Sequence, residues 1–134
     1  MLRHKDEDNI RKSFIKKIVS CLLDEIILAH FRECDFSGYD VIVFLHRELG
    51  VSLSSSTIYG SLYSLERKGL LTGYSEGKKR VFKVTELGNL TAQVTTSKTH
   101  VDRLVTVFLT PAKHFGNQSL SHEIHNEKNH PIAI

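Results

Sequence analysis

Ser54-Ser55-Ser56-Thr57-Ile58-Tyr59-Gly60-Ser61-Leu62-Tyr63-Ser64-Leu65-Glu66-Arg67-Lys68-Gly69 is the stretch on which the fold turns. Its serines offer side-chain oxygens to cap a helix that runs to Lys68 and stops at Gly69, where a left-handed residue ends it without strain. Ile58, Leu62 and Leu65 fall at spacings of four and three and define a core face. A helical advance of roughly 100° per residue puts Ser56, Gly60, Tyr63 and Arg67 on the opposite face, with Tyr59 and Ser64 on its flanks. A solvated helix face is ordinarily filled with Glu, Lys and Gln. This one carries small hydroxyls, a glycine that lets another surface come close, two tyrosines and an arginine.

Downstream, Leu70 to Ser75 and Val81 to Val84 read as two short strands around the glycine-containing loop Glu76-Gly77-Lys78-Lys79-Arg80, whose tip is basic. Thr85 then caps a further helix. Leu87, Leu90, Val94, Val101, Leu104 and Phe108 recur at alternating spacings of three and four once Ser97 is counted as one place, and Pro111 closes the series. The β-branched Thr95, Thr96 and Thr99 weaken this helix in isolation, so it is expected to depend on packing against a partner.

Upstream, Ile10 to Glu33 reads as one long helix with Phe14, Ile15, Ile18, Val19, Leu22, Leu23, Ile26 and Ile27 on a stripe wide enough for burial on two sides, one of them against a second subunit. Cys34 to Gly38 is turn-like. Ser37 is placed to cap a helix over Tyr39 to Leu49, with Val41, Ile42, Leu45 and Leu49 inward and Gly50 at its end.

The predicted architecture is mainly α with a small β hairpin: a winged helix-turn-helix with N- and C-terminal dimerisation helices. Residues 1–9 form a flexible start, 10–90 the winged-helix domain, 91–110 the C-terminal dimerisation helix and 111–134 a mobile polar tail. The length of 134 residues and 40% apolar content suit one modest core. A formal charge of +3 permits a polyanionic partner without demonstrating one, so the placement of charge has to decide. The two cysteines, Cys21 and Cys34, exclude a disulfide scaffold or a four-cysteine zinc site and are read as small core-filling residues. The apolar run Ile26 to Ala29 is far too short to cross a bilayer, and a soluble cytoplasmic protein with no membrane partner is expected.

Three helices followed by a basic-tipped hairpin is the order of a winged helix-turn-helix, and double-stranded DNA is the partner such a face suits. Ser54, Ser55, Ser56 and Thr57 bring hydroxyls and free amides to a helix N-terminus, where the dipole favours phosphate. Tyr59, Gly60, Tyr63 and Arg67 would face the major groove, while Lys78, Lys79 and Arg80 would reach phosphates or the minor groove. Phe14, Ile18, Leu22, Leu90, Val94, Val101, Leu104 and Phe108 are the candidate dimer interface.

The same residues carry a resemblance to a family. Gly38-Tyr39-Asp40, Thr57-Ile58-Tyr59, Leu62, Leu65-Glu66-Arg67-Lys68-Gly69-Leu70-Leu71 and Phe82-Lys83-Val84-Thr85-Glu86-Leu87-Gly88 together resemble the PadR-like transcription regulators, over about Asp24 to Leu90. The resemblance implies a homodimer that binds a palindromic operator through paired recognition helices and wings, usually as a repressor, and Tyr59 matches a tyrosine that family members carry near the start of the recognition helix.

Other readings compete. A winged helix can serve as a protein-interaction module in a larger assembly, with Tyr59 and Tyr63 meeting another protein. A small apolar effector, lodged between the N-terminal and C-terminal helices, would alter the spacing of two recognition helices. His114, His122, His125 and His130 gather in the tail, but no cysteine or carboxylate cluster completes a metal geometry, and neither a metal nor a cofactor is expected. No phosphate-cradling glycine loop, carboxylate pair or Ser/His/Asp order points to an enzyme.

Overall fold

Helix-forming and strand-forming stretches alternate along the chain, and the computed structural model, which describes residues 3–112, arranges them as six helices and three strands among those residues. Helix α1 spans Arg3–Cys21 and α2 spans Leu23–His30. The single helix expected over Ile10 to Glu33 is therefore bent at Leu22, whose φ of −105° and ψ of 17° leave the helical well. The ladder continues across the bend, from Leu22 N–H to the Ile18 carbonyl and from Ile26 N–H to the Leu22 carbonyl, both at 2.9 Å. Burial differs on the two sides of the break: α2 buries Leu23, Ile27 and Leu28, whereas α1 buries only Val19. Residues 3–9, expected to be flexible, are the first turns of α1. The cysteines are also corrected. Cys21 at the end of α1 and Cys34 in the loop after α2 are exposed free thiols, since the core is already filled by Leu23, Ile27, Leu28 and Phe31 around them.

Strand β1 is the pair Phe36–Ser37, followed by α3 over Gly38–Leu49. Ser37 caps α3 in a reciprocal box: its hydroxyl oxygen accepts from Asp40 N–H at 3.3 Å while the Asp40 carboxylate accepts from Ser37 N–H at 2.8 Å. Gly50, at φ 63°, ends α3 in the left-handed region. Helix α4 covers Ser55–Arg67, β2 Leu71–Glu76, β3 Lys79–Val84, α5 Glu86–Thr95 and α6 Lys98–Leu109.

The sheet is three-stranded and antiparallel in the order β1-β3-β2, with Phe36 opposite Phe82 and Leu71 opposite Val84. The hairpin was legible in the sequence. The β1 strand was not, because two residues have no period and its pairing crosses more than forty positions of chain. Val41 and Leu45 of α3, Ile58, Leu62 and Leu65 of α4, Leu71, Phe82 and Val84 of the sheet and Ala92 of α5 close one core around Ile27 and Leu28.

The C-terminal helix expected to run unbroken past Val94 stops at Thr95 and restarts at Lys98. Threonine hydroxyls mark its last turn: Thr95 Oγ1 donates to the Thr91 carbonyl at 2.9 Å and Thr96 Oγ1 to the Ala92 carbonyl at 2.6 Å, which also accepts from the Thr96 N–H at 3.0 Å. The chain divides into two compact units, 1–98 and 99–134. The first holds the core. In the second, α6 is an amphipathic helix with no buried residue. The tail expected beyond Pro111 lies outside the described residues, except for Pro111 and Ala112 themselves.

Candidate nucleic-acid interface

Helix α4 is anchored from beneath by Ile58, Leu62 and Leu65, all buried. Its N-terminus is built by Ser54, whose hydroxyl oxygen accepts from Thr57 N–H at 3.2 Å and lies 2.8 Å from Thr57 Oγ1 and 3.1 Å from Ser56 Oγ. Ser54, Ser55, Ser56 and Thr57 are all exposed, which leaves a patch of hydroxyls at the positive end of the helix dipole. Along the outward face, Ser56, Gly60, Tyr63 and Arg67 are exposed as the spacing predicts.

Tyr59 sits differently. It is half-buried, and its ring lies so close to Gly38 that a Cβ there would come within 2.7 Å of the tyrosine hydroxyl oxygen. Gly38 thus lets the first turn of α3 rest on α4, and Tyr59 locks that crossing with part of its surface left open. Its ring centroid is 6.1 Å from that of Tyr63, which meets Phe82 of β3 edge-on at 6.0 Å. A continuous aromatic contact therefore joins α4 to the wing.

The wing turns on two residues, Gly77 and Lys78, rather than the five-residue loop expected, with Glu76 paired to Lys79 across β2 and β3. Gly77 at φ 64° takes the first central position, where a two-residue hairpin of the II′ kind needs a positive φ. Lys78 is at the tip and Lys79 and Arg80 are in the strand. Lys78 and Lys79 are exposed. Arg80 is half-buried and turned to α4: its Nη2 donates to Glu66 Oε2 at 2.7 Å, and its guanidinium carbon lies 5.9 Å from the Phe82 ring centroid. Gly73 of β2 makes room for the pair, since a Cβ there would fall 2.6 Å from Glu66 Oε2 and 2.9 Å from Arg80 Nη2. Glu66 is the only acid in α4, so this bridge removes the only negative charge from the helix. Sequence reasoning missed Glu66 and Gly73. The lone acid among hydroxyls was the available signal.

Behind the wing, Thr85 caps α5 by accepting from Gly88 N–H at 3.1 Å, and its hydroxyl donates to the Gly69 carbonyl at 2.7 Å. Gly88 is buried against the Leu70 carbonyl, and a Cβ on it would also meet Val84 Cγ1 at 2.7 Å. The Thr-Glu-x-Gly exit from the wing is therefore a joint that fixes α5, β3 and the end of α4 together. Tyr74 of β2 donates to Asp35 Oδ2 at 2.6 Å, and that hydrogen bond to a carboxylate, with burial and the charges of Asp35 and Glu76 behind it, raises the phenol above its ordinary pKa of 10.0.

The candidate dimer residues are all solvent-facing in the single chain. Phe14, Ile18 and Leu22 lie along one row of α1 and its bend, Leu90 and Val94 are 56% and 64% exposed on α5, and Val101, Leu104 and Phe108 lie on α6. Among the described residues no cluster of His, Cys, Asp or Glu could hold a metal ion, and no described helix is long and apolar enough to cross a membrane. His114, His122, His125 and His130 lie outside the described residues.

A helix-turn-helix formed by α3 and α4, with a two-stranded wing at its side, defines a winged helix-turn-helix protein. The chain belongs to the Transcriptional regulator PadR-like family, whose model matches residues 27–94. Its fold is similar to that of a PadR family transcriptional regulator from Eggerthella lenta, with 22% identity, a TM-score of 0.63 and 80% of this chain and 99% of that one covered. It is also similar to a transcriptional regulator from Clostridium thermocellum at 17% identity and TM-score 0.61, covering 71% and 96%. A third similar structure is Bacillus subtilis PadR in complex with operator DNA, at 21% identity and TM-score 0.51, covering 81% and 60%. No curated protein matches the chain.

Proposed function

We propose that the chain is a sequence-specific regulator that binds double-stranded DNA as a homodimer, laying α4 in the major groove and the wing beside it. The observation that carries this reading is the outward face of α4: exposed Ser56, Gly60, Tyr63 and Arg67, no free carboxylate, and Lys78 and Lys79 exposed on the adjoining hairpin. Such a face has no charge that repels phosphate and is narrow enough to approach base edges. The family is one of transcriptional regulators, and B. subtilis PadR, of similar fold, has been solved with operator DNA.

In this reading Ser54 to Thr57 and Lys78 and Lys79 hold phosphates, Tyr63 and Arg67 reach into the groove, and Arg80 acts through Glu66. The exposed apolar rows of α1, α5 and α6 meet a second copy, and two-fold symmetry then demands a palindromic operator, whose occupancy blocks transcription. An apolar effector between subunits would act by changing the spacing of the two α4 helices. The protein works in the cytoplasm, where the target DNA is.

The test is selection from genomic fragments at two salt concentrations, comparing wild type with a Lys78→Ala/Lys79→Ala variant. Selected fragments bound with salt-dependent affinity, and bound more weakly by the variant, support the reading. Absence of any binding above background, or binding indifferent to salt, transfers α4 to a protein partner instead.

A further inference from the structure

Glycine in the middle of a helix weakens it, because the unfolded chain gains more freedom than with alanine. Each glycine of the described residues therefore invites the question of what requires it. Gly50, Gly69 and Gly77 have φ of 63°, 78° and 64°, where a side chain is strained. Gly38, Gly73 and Gly88 are crowded by the Tyr59 ring, by the Glu66–Arg80 pair and by the Leu70 carbonyl. Gly60 has neither reason. Its backbone is helical, and a Cβ built on it meets nothing within 4 Å. It is also the centre of the exposed face of α4, one helical turn from Ser56 on one side and Tyr63 on the other.

We infer that Gly60 is the point of closest approach to DNA, kept bare so that the edge of a base pair can rest directly on the helix backbone between Ser56 and Tyr63. This deepens the DNA-binding reading above and rests on it. Duplex DNA is the occupant that the surroundings favour: Glu66 is neutralised by Arg80, Glu76 stands opposite Lys79 in the hairpin, and Arg67, Lys68, Lys78 and Lys79 are exposed and positive. A base edge, rather than a phosphate, fits the spot itself. Within the body of a helix the backbone N–H groups are already bonded to carbonyls four residues earlier, so Gly60 has no donor to offer an anion. What it offers is space. The exposed hydroxyls and first-turn amides suited to phosphate are at Ser54 to Thr57, a turn away, with the Thr57 N–H already held by Ser54.

The experiment uses the full chain and Gly60→Ala, with duplexes that the wild type selects from a randomised pool and an unrelated duplex as probes. The variant should melt higher by roughly 4 °C, because alanine favours the helix and meets nothing. Its affinity for the selected duplexes should nonetheless fall about tenfold or more, while affinity for the unrelated duplex stays within about twofold. Gly60→Leu should abolish selection while remaining folded. Gain of stability with loss of specific binding is a combination that a purely structural glycine does not produce. Equal loss on both kinds of DNA would move the contact to the phosphate backbone and overturn the base-edge assignment. Undiminished selection by both variants would overturn the inference and leave the DNA-binding reading intact, whereas a wild type that selects nothing overturns both.

Discussion

Arg80 Nη2 and Glu66 Oε2 are 2.7 Å apart, a charge-assisted hydrogen bond that ties the wing to the end of α4. The consequence is electrostatic as well as mechanical. With the guanidinium in place, α4 presents no uncompensated acid; without it, a half-buried carboxylate stands beside the proposed path of the phosphates. Arg80→Ala is expected to lower stability by about 1 kcal/mol and to weaken DNA binding. Glu66→Gln on the same background is expected to restore part of the binding, because it removes the exposed charge. Denaturant titration and duplex binding on the single and double variants check this. No rescue would make Arg80 a direct phosphate contact instead.

Lys78 and Lys79 act through charge alone if they hold phosphates. Removing both should reduce the steepness of log affinity against log salt by about 1.8 per wing, since each contact releases close to one counterion. Affinity should drop similarly for selected and unrelated duplexes. Binding measured across a salt series provides the slope.

Gly88→Ala is expected to cost roughly 1 to 3 kcal/mol, because the added carbon meets the Leu70 carbonyl and Val84 in a packed joint. The contrast with Gly60→Ala is the point of the measurement: the same substitution lowers melting at one helical glycine and raises it at the other.

Leu22→Glu and Leu90→Glu each place a charge on an exposed apolar row. Sedimentation at increasing protein concentration should show a dimer for the wild type and a shift towards monomer for both variants. Core stability should change little, since neither side chain belongs to the core. A wild type that stays monomeric at high concentration removes the homodimer from the proposal.

Tyr74 predicts an alkaline effect. Its folded pKa is raised, chiefly by the hydrogen bond to Asp35, so its contribution to stability is present below the unfolded value of about 10 and is lost as pH climbs through the folded value. Phenolate absorbance should show Tyr74 ionising late, and Asp35→Ala should bring its ionisation back down.

Much of this molecule was legible from local rules. Ser37 and Thr85 were read as helix caps, a cap was placed within Ser54 to Ser56, where Ser54 takes it, and Gly50 and Gly69 were read as stops, because capping depends on side chains and dihedrals a few residues apart. The inward face of α4 followed from helical period alone, and so did the exposure of Ser56, Gly60, Tyr63 and Arg67. Local rules failed where partners lie far apart in the chain. Nothing near Phe36 announces that it pairs with Phe82, and nothing near Arg80 announces Glu66, because both relations exist only once the hairpin has folded back on the helices. The break at Leu22 belongs to the same class: the apolar stripe continues through it, yet burial passes from Val19 alone on α1 to Leu23, Ile27 and Leu28 on α2, with Ile18 left at the surface. Residue spacing was enough for α3 and α4, the Ser37 and Thr85 caps and the bare face of α4, because each rests on neighbours within a turn or two of chain. The tertiary structure alone decided that Arg80 faces inward to a carboxylate and that Gly60 has no neighbour within the chain, since charge pairing and free space are properties of distances that no residue spacing contains.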